Sequence, residues 1–246
     1  MAMSTWALYP IEEIQYPDSD GKPVAESDFQ FYPLIYAAAA LRRYFQDRDD
    51  VYVAGNMFLY YEEGNPKAVV APDVFVVLGA PKHKRFSYQL WREPKAPDFV
   101  LEITSRSTRS EDQGVKKGVY AFLGVQEYWQ YDPTRDYLNP PLQGFRLVAG
   151  NYQRLPGRRL PGGGLALRSE VLGLELRLEG DELRFYDPIT QQRLPNYEEA
   201  EEARRTAEES RREAEARAQQ EAALRQAAET RLAELEAQLR ALRGKG

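Results

Sequence analysis

The architecture of this chain turns on residues 97–129, PDFVLEITSRSTRSEDQGVKKGVYAFLGVQEYW. The run Phe99-Val-Leu-Glu-Ile is short, apolar and bounded by a proline and a Ser/Thr/Arg loop, which predicts a buried strand. Glu102 interrupts that run, and an isolated buried carboxylate costs several kcal/mol unless it is paired or binds a metal. Thr108 and Glu111 stand at capping-box spacing, so a helix is expected to start there. Within it Asp112, Lys116 and Tyr120 fall at i, i+4 and i+8 and share one face. A strand-borne acid and a helix-borne ammonium then point into one pocket, and Lys117 offers the same group as Lys116. The pattern lacks a second carboxylate.

Upstream, residues 51–61 (VYVAGNMFLYY) and 69–78 (VVAPDVFVVL) are strand-rich and are separated by the turn-like EEGNPK. The second run again embeds an acid, Asp73, in aliphatic sequence. A helix is expected over residues 25–46, with Leu34, Ala38, Leu41 and Phe45 at helical spacing. Ser27 and Gln30 have capping-box spacing, which sets Glu26 at the head of this helix. Pro33 either kinks the helix or marks its true first turn. Residues 80–97 form a long polar connection carrying Lys82, His83, Lys84 and Arg85.

Downstream, strands are expected at 128–132, 144–148 and 152–155, and a Gly/Pro/Arg-rich loop at 155–165. A hairpin is expected from 174–178 and 183–186 around Glu179-Gly-Asp. From residue 197 the composition changes to Ala, Glu, Arg, Gln and Leu with no proline, which predicts one long helix. Leu232, Leu235, Leu239 and Leu242 have coiled-coil a/d spacing, although Arg211, Glu221 and Arg225 fall on the same seam upstream. A lone helix with no packed face is marginal in water, so it must pair, fold back or fray. Self-association into a homo-oligomer, a dimer first of all, is the reading preferred here. The expected division is a domain over residues 1–195 and a charged tail over 196–246.

Length and composition set the outer bounds. The chain has 246 residues, 43% hydrophobic and 29% charged, enough for one well-buried domain and an appendage. A net charge of -5 argues against a non-specific nucleic-acid coat protein, but leaves room for an enzyme with a local basic patch. With no cysteine, disulfides, zinc–thiolate sites and cysteine nucleophiles are excluded. No basic leader or membrane-length apolar run is visible, so a soluble cytoplasmic protein without membrane contact is expected.

Two carboxylates on neighbouring strands can bind a Mg²⁺ that keeps waters and accepts a phosphate oxygen. A lysine beside them orients or deprotonates an attacking water, and an acid on an adjacent helix completes or supports the metal site. Each residue also has a plainer reading. Asp73 follows a proline, as turn residues often do; Glu102 can form a buried pair with Lys116; Lys116 can be a solvated helix residue. Glu26 suits a helix N-terminus through the macrodipole alone.

At these residues a resemblance enters. Asp73, Glu102-x-Thr104, SRSTRSED, Lys116 with Tyr120, and GVQEYWQYDP together resemble the Uma-type endonuclease family, within the PD-(D/E)XK restriction-endonuclease-like superfamily. The similarity runs over residues 11–188. It implies an α/β fold, a restriction-endonuclease-like mixed sheet flanked by helices, with the long C-terminal helix following. It also implies Asp73 and Glu102 as ligands of Mg²⁺ or Mn²⁺, Glu26 as the helix-borne acid of the site, and phosphodiester hydrolysis, most of all in DNA. The superfamily pattern has a lysine two residues after the glutamate; here that residue is Thr104, and Lys116 is the position the family offers instead. The rival reading is a non-catalytic protein that keeps the fold while its tail assembles partners.

Overall fold

The computed structural model describes residues 14–17, 27–104 and 114–243, and the chain divides into two compact units, Met1–Leu194 and Pro195–Gly246. The first unit is built on a six-stranded mixed sheet. Its strands are β1 (Val51–Gly55), β4 (Val74–Leu78), β6 (Phe99–Ile103), β7 (Glu127–Tyr131), β8 (Leu142–Val148) and β9 (Asn151–Arg154), in the spatial order β1-β4-β6-β7-β8-β9. All neighbours are antiparallel except β6 and β7. Parallel neighbours need a long crossover, and here it contains helix α2 (Lys116–Phe122).

Strand alternation sorts the side chains into two cores. Val51, Val53, Val74, Val76, Phe99, Leu101, Ile103, Trp129 and Tyr131 face helix α1 (Asp28–Tyr44). Ala37, Ala38, Leu41 and Phe45 meet them from the helix side. A second sheet closes the same core with Leu167, Leu176, Leu178, Leu183 and Phe185. Its strands are β10 (Arg158–Arg159), β11 (Leu165–Arg168), β12 (Glu175–Glu179), β13 (Glu182–Asp187) and β14 (Gln192–Arg193). The β12–β13 hairpin turns at Gly180, whose φ of +63° suits glycine at the first turn position.

Tyr52, Ala54, Phe75, Val77, Val100, Tyr128 and Phe145 face the other way, against Tyr120 of α2 and Val125. That face is completed by a small sheet of β2 (Leu59–Tyr60), β3 (Val69–Val70) and β5 (Tyr88–Gln89). Glu102 shares this phase with Val100, so it points to the α2 side.

Two details depart from the sequence reading. Helix α1 passes through Pro33 in its interior, with Ser27 at the N-cap position and no side-chain cap. The turns before Pro33 are largely exposed, so the hydrogen bond that proline forgoes lies next to water rather than in the core. Residues 155–165 are not wholly loop, because Arg158 and Arg159 pair with Ala166 and Leu165. The capping box at Thr108 and Glu111, and Asp112, lie outside the described residues.

The second unit is helix α3, Tyr197–Arg243, of 47 residues. Asn196 caps it, accepting from the Glu199 backbone N–H at 2.8 Å while Glu199 returns a bond to the Asn196 N–H at 2.9 Å. Leu224, Leu232 and Leu235 are exposed, and Glu–Arg pairs at i+3 and i+4 line the surface. No described helix is long and apolar enough to cross a membrane.

Candidate active site

The site forms where β4 begins and β6 ends. These strands pair with Val74 opposite Leu101, so one further step of the register sets Asp73 opposite Glu102. Pro72 lacks an N–H and the regular ladder stops there; the Asp73 side chain takes over, its Oδ2 accepting the Ile103 N–H at 2.6 Å. Asp73 is half-buried, whereas Glu102 is 1% exposed.

Two side chains of α2 reach Glu102. Tyr120 donates its hydroxyl to Oε1 at 2.6 Å, and the Lys116 ammonium lies 3.0 Å from Oε2. Lys116 also approaches the Ala71 carbonyl at 3.5 Å. The i, i+4 spacing read from sequence thus delivers both groups to one carboxylate. Lys117 turns elsewhere: its ammonium sits 3.6 Å from the Phe145 ring centroid, and burial with the nearby Arg154 charge lowers its pKa. Burial and the Glu102 carboxylate hold the Tyr120 hydroxyl well above the usual tyrosine range, so it stays a proton donor.

The structure therefore brings together Asp73, Glu102, Lys116 and Tyr120. Glu26 lies outside the described residues. Thr104, two residues after Glu102, is buried and donates its backbone N–H to the Tyr131 carbonyl at 2.8 Å. Its hydroxyl points toward the same carbonyl at 3.4 Å, and a methyl-bearing side chain there cannot supply a lysine's charge. One neighbour escaped the sequence reading: Gln130, buried on β7, stands across from Glu102 in the parallel register. Its signal was a polar residue in the run EYWQY at the same phase as Tyr128.

The residues suit a hard divalent cation. Both acids offer carboxylate oxygens, the hard ligands such cations take. Among the described residues no three His, Cys, Asp or Glu side chains gather as a closed metal cage. The two carboxylates among the described residues suit Mg²⁺ or Mn²⁺, which keep waters and take phosphate oxygens in their remaining positions.

A second buried acid shows what a purely architectural carboxylate looks like here. Glu127, fully buried, accepts from Ser169 Oγ at 2.5 Å, the Glu170 N–H at 2.9 Å and Trp129 Nε1 at 3.2 Å, with Arg146 at 3.3 Å. Those bonds tie β7 to the turn after β11. Glu102, by contrast, sits near the end of β6, across from another acid and paired with a lysine.

Residues 7–179 match the model of the family described as "Uma2: Putative restriction endonuclease". The chain belongs to the Uma2 family. Among solved structures, it is similar to a crystal structure titled as a putative nuclease belonging to DUF820 from Anabaena variabilis. That likeness has 14% sequence identity and a TM-score of 0.40, and covers 57% of this chain and 74% of the other. No curated protein matches the chain.

Proposed function

We propose that this Uma2 protein is a Mg²⁺- or Mn²⁺-dependent endonuclease that hydrolyses phosphodiester bonds in DNA. Asp73 and Glu102 would hold the cation, with Glu26 from the head of α1 as the supporting acid. The observation that carries this reading is the Glu102 carboxylate, buried at a strand end with Asp73 across from it and Lys116 at 3.0 Å. A bound cation would supply a water of lowered pKa and offset charge on the phosphate.

The chain's own groups account for the rest. Tyr120 and Lys116 fix Glu102 in one rotamer, and the Ile103 N–H fixes Asp73, so the two acids are set before substrate arrives. From its place 3.0 Å from Glu102, Lys116 would orient the attacking water and balance charge building on the non-bridging oxygens. In the reaction the water oxygen bonds to phosphorus, one P–O ester bond breaks, and the departing oxygen takes up a proton.

The test is supercoiled-plasmid nicking with Mg²⁺ or Mn²⁺, comparing the parent with Asp73→Ala and Glu102→Gln. Each variant is expected to lose on the order of 10²–10³-fold in rate, the scale for removing a group that stabilises transition-state charge. Cleavage that survives both substitutions removes the assignment.

One observation favours a second reading. Thr104 occupies the superfamily's lysine position, and Glu102 is already satisfied by Lys116 and Tyr120. A non-catalytic scaffold that kept the fold would look the same. Calorimetric titration separates the two, because a scaffold gives no Mg²⁺ or Mn²⁺ binding that depends on Asp73 and Glu102.

A further inference from the structure

Strand β1 is the outer strand of the six-stranded sheet, with β4 on one side only. A groove of about 630 Å³ wraps its outer edge. Val51 and Val53 line it from the α1 side and Tyr52 from the opposite side, with Arg42, Lys82, His83, Lys84 and Arg85 around them. Among the described residues, no acid lines the groove.

Three of these cations are anchored by hydrogen bonds or an ion pair. Arg42 Nε donates to the Val53 carbonyl at 3.1 Å. Lys82 Nζ donates to the Phe45 and Gln46 carbonyls at 2.6 and 2.8 Å, closing the C-terminal end of α1. Arg85 is neutralised by Glu93 at 2.7 Å and lies 4.1 Å over the Tyr52 ring, which makes it a buttress for the loop. Arg42, Lys82 and Lys84 keep exposed positive charge.

The next residue, Phe86, is 86% exposed. Lysines beside an open sheet edge have a protective use, because they discourage strand addition. An exposed phenylalanine does the opposite, so edge protection does not account for it. Fixed cations that track a backbone, with an aromatic face offered next to them, are what a nucleic-acid strand requires.

We propose that this groove is a second nucleic-acid contact, in which Arg42, Lys82 and Lys84 hold the sugar–phosphate backbone while Phe86, exposed beside the groove, stacks on a base. β1 and β6 belong to the same sheet, with β4 between them. The inference rests on the nuclease reading for the class of its ligand. It concerns binding alone and is tested without turnover.

The experiment uses the full chain carrying Glu102→Gln, in chelator, with fluorescein-labelled single-stranded and duplex DNA read by anisotropy from 50 to 200 mM salt. Adding Phe86→Ala is expected to weaken single-strand binding about 5- to 100-fold with no change in salt slope. Adding Lys84→Ala with Arg42→Gln should flatten the slope of log K against log salt by roughly 1.4, two phosphate contacts' worth. Lys84→Ala alone alters an exposed side chain and should remove half of that change. Binding indifferent to Lys84 and Phe86 at every salt overturns the proposal. So does tighter, Phe86-dependent binding to phosphatidylserine vesicles than to DNA. Groove-dependent binding with no metal-dependent nicking by the parent would sink the nuclease reading and leave this contact standing; nicking with a silent groove would do the reverse.

Discussion

Lys116 and Lys117 are neighbours of identical chemistry, and the fold gives them different tasks. Lys116 neutralises a carboxylate that is 1% exposed, so its loss removes a counter-charge from a buried group. Lys116→Met is expected to cost about 2–4 kcal/mol in urea denaturation, somewhat under the full cost of breaking a wholly buried pair because Lys116 keeps some exposure. Adding Glu102→Gln should recover most of that loss, since the uncompensated charge goes with it. Lys117→Met removes a contact with the Phe145 ring, costs under ~1 kcal/mol and leaves nicking intact. If Lys117→Met is the variant that stops nicking, the role given to Lys116 is wrong. Sequence spacing presented Lys116, Tyr120 and Glu102 as one group because strand and helix periods fix which side chains align. It had no means of separating Glu102 from Glu127, since both are acids in apolar strands. Only the partners differ, and for Glu127 two of them, Ser169 and Glu170, lie over 40 positions away.

At the scale of elements, the strands of the central sheet were legible because their runs are dense in valine and aromatic residues between clear turn signals. Shorter pieces were not: β5, β10 and β14 have two residues each and exist only where a neighbouring strand supplies hydrogen bonds. Strand β11 was also missed, since Leu165–Arg168 directly follows a glycine-rich stretch and offers few residues to show a period. One glycine in β8 carries a packing demand that no pattern announces. A Cβ on Gly144 would meet the Trp129 ring at 2.7 Å, so Gly144→Ala must displace a fully buried indole. An overpacking loss of about 1–3 kcal/mol in thermal or urea unfolding is expected. Helix α3 poses the opposite problem, since its exposed Leu224, Leu232 and Leu235 have nothing to pack on within the unit. We expect the full chain to be dimeric by light scattering and a chain ending at Leu194 to be monomeric with unchanged thermal unfolding of its domain. Leu232→Lys with Leu235→Lys should reproduce the monomer. A dimer that persists in both variants would place self-association elsewhere.

Across the whole molecule, tyrosine hydroxyls knit the layers together. Tyr88 donates to the Lys95 carbonyl at 2.8 Å, Tyr131 to Asp181 at 2.6 Å and Tyr152 to Val125 at 2.8 Å, alongside Tyr120 on Glu102. Burial raises the pKa of all four, that of Tyr131 to about 12. An unfolded tyrosine gives up its proton near pH 10, while the folded protein still holds it. The unfolded state then binds fewer protons, so the stability these groups provide is complete below about pH 10 and is lost as pH rises through the folded values. Urea midpoints should therefore fall steeply between about pH 10 and 12, with tyrosinate absorbance rising together with unfolding. Ionisation of these hydroxyls ahead of unfolding would contradict their role.

The ammonium at Glu102 also bears on how the protein would live with the proposed cation. Many metalloproteins collapse when stripped, because their ligands repel one another once the ion leaves. Here a lysine already stands as counter-charge, so the domain is electrically settled at that position before any ion arrives. EDTA should silence the protein without melting it, and restoring Mg²⁺ should return activity at once. Such an enzyme can rest folded and harmless, with supply of the ion as its throttle.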